Sequence, residues 1–456
     1  MLFSSIPFLY YFLPCVLLLY FLSPKPLKNL TLLVFSLVFY AWGEPKFVVI
    51  MLISLAVGYV SGLLLEKYRD SKWGKVIVGV SVAIPLVFLA YFKYADFFIT
   101  NFNLATGLSV PLLKVTLPIG ISFYTFQIIS YQVDVFRGSK SQKNPINLAT
   151  FIALFPQLIA GPIVRYTDIE KELENRTHSV GLVSEGAVRF CVGLAKKIVI
   201  ANTLGALSGK LGTTSVLSVW LCAIAVSLQI YFDFSGYSDM AIGLGKIFGF
   251  HFLENFNYPF ISRSVTEFWR RWHMSLGTWF RDYVYIPMGG NRCKKPRWFF
   301  NIATVWFLTG FWHGADWNFI IWGVFFAIFL IAEKLFLGEF LNKHRIISHV
   351  YVILLTLISF TIFNTTDLLA LGKTLTAMVG VGVPLICKSS LYYLESYAVI
   401  LVIACIGSTP LMKKLVSKLP EKVSFALQPV YLIGVFTVCT AFLVDGSFNP
   451  FLYFRF

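Results

Sequence analysis

The sequence predicts an all-α, polytopic integral membrane protein, and three observations carry that expectation. Of 456 residues, 57% are hydrophobic and only 13% charged, against roughly 45–50% and about 25% in a soluble domain, and the mean hydropathy is +0.74. The 46 Phe and 11 Trp are more apolar aromatic surface than water tolerates, which excludes a disordered or disulfide-stapled secreted chain as well as a water-soluble globule. The apolar residues also come in runs close to the ~20 residues that cross a bilayer as a helix.

These runs fall near residues 6–22, 30–42, 47–65, 76–94, 117–136, 148–164, 187–204, 216–244, 298–312, 319–336, 349–363, 397–406 and 423–443. Several are too short or too interrupted to span alone. The pattern therefore predicts about ten to twelve crossings plus re-entrant or interfacial helices, within one membrane domain covering 1–456. The opening MLFSSIPFLYYFLPCVLLLYFL lacks a basic leading region and a small-residue cleavage site, so it reads as a retained first span. Lys and Arg concentrate in 25–28, 66–75, 137–143, 263–297, 334–345 and 413–422. Placing these in the cytoplasm leaves the N-terminus, the loops near Gly43, 101–114 and 365–395, and the C-terminus outside.

The formal charge of +16 arises from 38 Lys and Arg against 22 Asp and Glu. Because the basic residues sit between apolar runs, cytoplasmic loops and anionic headgroups account for them better than nucleic acid does. The seven cysteines are scattered, mostly within apolar segments, and read as small core hydrophobes, with no metal-site or disulfide spacing.

Polar groups at membrane depth are the informative signal, since a structural span needs only apolar and small residues. In LPIGISFYTFQIISYQVDVFRG, residues Gly120, Tyr124, Gln127, Tyr131 and Asp134 recur at spacings of three and four, one face of a helix. That face is expected to look into the bundle, and interhelical hydrogen bonding alone also accounts for it. In QIYFDFSGYSDMAIGLGKIFGF, Asp233, Ser235, Tyr237, Ser238 and Asp239 interrupt an apolar run. A carboxylate at the bilayer centre costs on the order of 2.5–3.5 kcal/mol, so both acids need a partner or water; the segment reads as bending at Gly236, and an Arg of the next basic block is a structural partner for an acid.

The block SRSVTEFWRRWHMSLGTWFRDYVYIPMGGNR is basic and aromatic, and Ser264 with Glu267 has the spacing of a capping box. The helix expected there places Trp269 and His273 one turn apart and lies at the cytoplasmic interface. Arg270 and Arg271 suit lipid phosphates or those of a nucleotide-bearing donor. The following run RWFFNIATVWFLTGFWHGADWNFIIWG carries no charge between Arg297 and Asp316. At 1.5 Å per residue, His313 stands about 20 Å along a straight helix from Trp298. A neutral imidazole there can take a proton from a hydroxyl near pH 7, or serve only as a hydrogen-bonded contact beside Gly310 and Gly314. His178, His344 and His349 read as solvated.

Taken together, YFDFSGYSDMAIGLGKIFGF, NFNYPFISRSVTEFWRRWHMSLGTWFRDYVYIPMGGNR and LTGFWHGADWNFIIWG resemble signature blocks of the membrane-bound O-acyltransferases, and more narrowly of the alginate O-acetyltransferase branch. The resemblance runs from MLFSSIPFLYYFLP through LFPQLIAGPIVRY to SFNPFLYFRF. It is weakest over 346–425, where Asn364 and Thr365 stand in place of a Phe-Phe-Arg-Ala stretch.

The resemblance implies helices around a central tunnel, with a cytosolic acyl donor, expected to be acetyl-CoA, and no permanently bound cofactor or metal. It implies a hydroxyl acceptor on an extracytoplasmic polysaccharide and a serine-hydrolase-like (SGNH) partner protein outside a bacterial plasma membrane. It assigns the catalytic histidine of a Trp-His-Gly motif to His313, flanked by Trp312 and Gly314, and the second, donor-positioning histidine to His273. Asp233 is carried over as a motif residue, while the residues themselves make Gln127 and Tyr124 supporting or tunnel-lining positions and Arg270 and Arg271 donor-binding ones. Two other functions fit parts of the same pattern: D-alanyl transfer to teichoic acids, which shares the histidine motifs, and polysaccharide transport, for which many spans and polar stripes suffice.

Overall fold

Long apolar runs become helices because a backbone surrounded by lipid must satisfy its hydrogen bonds internally, and every regular element among the described residues is helical. The computed structural model describes residues 1–446; the closing SFNPFLYFRF and the C-terminus lie outside the described residues. Among the described residues, eight helices are long and apolar enough to cross a membrane, or nine if Lys388–Ser396 and Ala398–Gly407, bent by 58°, form one broken span. The sequence suggested ten to twelve. Pro7–Leu22 is helical but short, as is the 16-residue Ile121–Phe136, while Lys295–His313 carries Lys, Arg, Asn and His along its 19 residues.

The described helices pack in two groups, residues 1–190 with 240–253, and residues 191–239 with 254–446. In the first, Ser71 caps Lys72–Thr106 by accepting the Trp73 N–H at 3.2 Å, and Gly107 at φ +74° ends it. Ile121–Phe136 packs with Val48–Tyr68 and Lys72–Thr106. Tyr124, Gln127 and Tyr131 are buried on it, but so is every residue from Ile121 to Gln132. The polar stripe is therefore part of a helix enclosed on all sides rather than one inward face. Gly62 admits the Tyr131 ring, since a Cβ there would stand 2.5 Å from its hydroxyl. That hydroxyl accepts the Gln142 N–H at 3.0 Å.

In the second group, the part of Val216–Ile247 up to Asp239 runs unbroken through Gly236, where the sequence suggested a bend. Gly236 is a point of close approach instead: a Cβ would lie 2.7 Å from the Gly193 carbonyl oxygen. Aromatic rings fill the interior, with Phe268 stacked on Trp272 at 5.5 Å and Trp272 against Phe360 at 4.9 Å. Lys295–His313 and Trp317–Ala332 form a hairpin whose backbones touch at Gly310 and Gly323, because added Cβ atoms would come within 2.3 Å of the Phe319 and Trp306 carbonyl oxygens respectively. Cys191 and Cys439 are buried as expected of small hydrophobes, whereas Cys15 and Cys405 face outward.

Because only backbone opposes a side chain at this crossing, Gly323→Ala should lower thermal stability of the detergent-solubilised protein by about 1–3 kcal/mol. Gly79→Ala, where nothing lies within 4 Å of the added carbon, should melt like the unsubstituted chain or slightly higher. Equal melting of the two variants contradicts the tight crossing.

Candidate active site

His313 is the last residue of Lys295–His313, and Gly314 leaves the helix in extended conformation at φ −164°. The Phe319 ring occupies the space of a Gly314 side chain, since a Cβ at that position would fall 2.0 Å from a ring carbon. The buried imidazole is walled by Trp312, Trp322 and Phe363, at ring-centroid distances of 5.0, 5.1 and 5.2 Å. Phe363 is held there by Asn318, whose Nδ2 donates to the carbonyls of Ile362 and Phe363 at 3.2 and 2.8 Å. Those carbonyls belong to the last turn of Arg345–Asn364, where intrahelical donors run out and the C-cap Thr365 N–H reaches the Ile362 carbonyl only at 3.4 Å. The residues just before the departing Asn364 and Thr365 thus form one wall of the site.

His273 lies in the same group of helices, with Trp312 as common neighbour at 6.2 Å from its ring. The single interfacial helix expected across this stretch is two short ones, Val265–Trp269 and Met274–Phe280. Between them His273 takes the left-handed conformation, φ +44° and ψ +53°, so it does not follow Trp269 by one helical turn. Two backbone bonds hold the reversal: Asn257 N–H to Arg271 O at 2.9 Å and Met274 N–H to Asn255 O at 3.0 Å. The imidazole Nδ1 is 3.1 Å from Asn255 Oδ1, and Phe234 meets the ring edge-on at 4.7 Å. Burial pushes the His273 pKa down to about 3, so the ring is neutral.

Ser264 does accept the Glu267 N–H at 3.0 Å, but the Glu267 carboxylate takes the Arg263 N–H at 2.9 Å, so the capping box is half formed. The rest of that helix start is satisfied by a residue that nothing in the local sequence singles out. Buried Glu333 accepts the N–H groups of Val265 and Thr266 at 2.5 and 3.0 Å and the Thr266 hydroxyl at 2.8 Å. Arg271 is tied to Glu267 at 2.9 Å and to the Asn257 carbonyl at 3.1 Å, whereas Arg270 is exposed. The run from Tyr285 to Arg292 is clamped by Asn301, whose Nδ2 lies 3.2 Å from the carbonyls of both Met288 and Gly290. His349, read as solvated, donates from Nδ1 to the Ser262 carbonyl at 3.1 Å.

Asp233 and Asp239 find their partners in lysines rather than in an arginine of the basic block. Lys197 pairs with Asp233 at 2.5 Å and Lys196 with Asp239 at 2.7 Å. Both lysines stand in the π-helical turn Lys196–Ala201, which widens the helix and turns successive side chains toward Val216–Ile247. Of the positions named from sequence, the structure brings together His273, Trp312, His313 and Gly314 around one set of rings. Asp233 serves an ion pair in the same group, and Tyr124 and Gln127 are buried in the other group.

The model of the membrane-bound O-acyltransferase family matches residues 137–341, which include both histidines. The chain is 42% identical to a probable alginate O-acetylase AlgI of Azotobacter vinelandii, over 84% of this chain and 79% of that one. It is 43% identical to that of Pseudomonas aeruginosa, over 84% and 75%. To a peptidoglycan O-acetyltransferase of Helicobacter pylori it is 32% identical, over 86% and 82%.

The Lys197–Asp233 side chains are only 5% and 2% exposed, so removing one partner strands a charge. Lys197→Met or Asp233→Leu alone should cost about 3–5 kcal/mol, and the double variant should recover most of that loss. Folded yield and melting of the four proteins in detergent measure the cycle; additive losses refute a direct pairing.

Proposed function

This chain belongs to the membrane-bound O-acyltransferase family, and we propose that it moves acetyl from a cytosolic thioester, acetyl-CoA, across a bacterial plasma membrane to hydroxyls of an extracytoplasmic polysaccharide. The observation that supports the reading most directly is the burial of His313 within a wall of rings, at the end of a helix rising from a basic segment. Similarity to alginate and peptidoglycan acetylating proteins supports the choice of acyl group and acceptor.

In the proposed step the hydroxyl oxygen attacks the thioester carbonyl carbon while His313 takes the hydroxyl proton. The C–S bond then breaks, the ester forms, and the proton passes from His313 to the departing thiolate. Carbonyl oxygen gains negative charge on the way, and an N–H directed at it lowers the barrier. Trp322 offers one: its buried indole Nε1 has no acceptor among the described residues. Trp312 is the other indole against His313. His273 helps position the donor, and exposed Arg270 suits the donor's phosphates better than Arg271, which Glu267 already engages.

Cells carrying the unsubstituted gene, His313→Ala or no copy should be compared for O-acetyl content of isolated surface polysaccharide, with membrane protein level checked by blot. Acetyl esters should disappear in both altered strains at unchanged polymer yield. Unchanged acetylation in the deletion overturns the reading, and loss of D-alanyl esters from teichoic acid there would reassign the transferred group. Trp322→Phe keeps the ring and removes the N–H, and should reduce kcat by about 10²-fold with little change in folded yield.

A further inference from the structure

Asn255 begins the NFNYPF block, is fully buried and has no part in the proposed proton transfer. Its amide orientation is settled by an atom that can only donate: the Ser275 backbone N–H lies 3.3 Å from Oδ1, so the atom placed there is oxygen. The Ser275 hydroxyl reaches the same oxygen at 2.9 Å, and on the other side Nδ2 donates to Ser238 Oγ at 3.0 Å. His273 Nδ1 approaches Oδ1 at 3.1 Å and must therefore carry the hydrogen. A neutral imidazole has one N–H, and burial disfavours the charged ring. Nε2 is left as a bare lone pair, and it is buried with no protein partner among the described residues.

We propose that Asn255 is a positioning residue that fixes His273 as the Nδ1–H tautomer, so that Nε2 accepts a hydrogen bond from an N–H or O–H of the bound substrate. The proposal deepens the acyl-transfer reading and rests on it. A lone-pair nitrogen repels phosphate oxygens, so His273 does not bind the donor through its phosphates. It suits the amide N–H groups of a thioester donor's arm, or the hydroxyl of the acceptor. The left-handed backbone at His273 serves the same end, since Met274 N–H and Ser275 N–H are both delivered to Asn255 by that reversal.

The test uses the full chain in detergent, labelled with 15N-histidine, together with turnover of acetyl-CoA. The His273 signals, identified by their loss in His273→Gln, should show a protonated Nδ1 and an unprotonated Nε2. Asn255→Leu should shift them toward the other tautomer and reduce turnover per folded molecule by about tenfold to a hundredfold, while Asn255→Asp, which keeps an acceptor oxygen, should retain the Nδ1–H signature and recover part of the rate. A raised KM for acetyl-CoA in Asn255→Leu assigns the bonded group to the donor, and a lowered kcat at saturating acetyl-CoA assigns it to the acceptor hydroxyl. A protonated Nε2 in the unsubstituted protein overturns the proposal even where Asn255→Leu does not fold. So does an Asn255→Leu protein with unchanged tautomer and turnover. Absence of any turnover of acetyl-CoA by the unsubstituted protein would fault the acyl-transfer reading and leave the tautomer result standing.

Discussion

A polar group inside a lipid-embedded helix bundle has no water to fall back on, so the chain must supply its partner. Asn318, Glu333, Asn255 and the Lys197–Asp233 pair all answer that demand, and each does so by joining segments far apart in sequence. Asn318 satisfies the last carbonyls of Arg345–Asn364 and so sets where Phe363 stands against His313. Glu333 satisfies the first N–H groups of Val265–Trp269 and so sets where the basic segment begins. The wall of the site and the start of the basic segment are thus by-products of finishing helix ends.

The same bonds connect into a continuous support for His273. The two lysines of the π-helical turn grip Val216–Ile247 at Asp233 and Asp239, and Gly236 between them lets the backbones close to contact. Ser238, on that stretch of helix, receives the Asn255 amide, and Asn255 in turn receives His273. A buried ion pair is weak evidence for stability by itself; what these pairs supply is a fixed place for Ser238, one bond removed from the Asn255 amide.

Much of this was legible in the sequence, and the failures have a common cause. His313 and Asp233 stood out because a polar residue in an apolar run is costly unless something uses it, His273 stood out through the resemblance of its block, and the structure buries all three. The membrane class followed from composition alone. Asn255 and Glu333 passed unnoticed because each sits at the edge of a run, where a solvated side chain is ordinary, and their partners lie 17 to 68 positions away. The break at His273 is equally invisible locally: Arg-Arg-Trp-His-Met suits a helix, and only the pairing of 255–257 with 271–274 compensates a left-handed histidine. The bend expected at Gly236 failed for a related reason, since a glycine in a helix marks either a kink or a close neighbour, and only the neighbour's position decides which.

The choice of an amide at position 255 follows from the surroundings. A carboxylate would orient an imidazole as well and would make it more basic. Beside Phe234 and a ring-filled interior, however, it would bury a charge among apolar rings, a cost that the neutral amide avoids while offering the same acceptor oxygen. Asn255 orients without charge. Its oxygen takes the donors from His273 and Ser275, its nitrogen is satisfied by Ser238, and the lone pair it leaves on Nε2 is the one feature of that cluster that the protein itself does not consume.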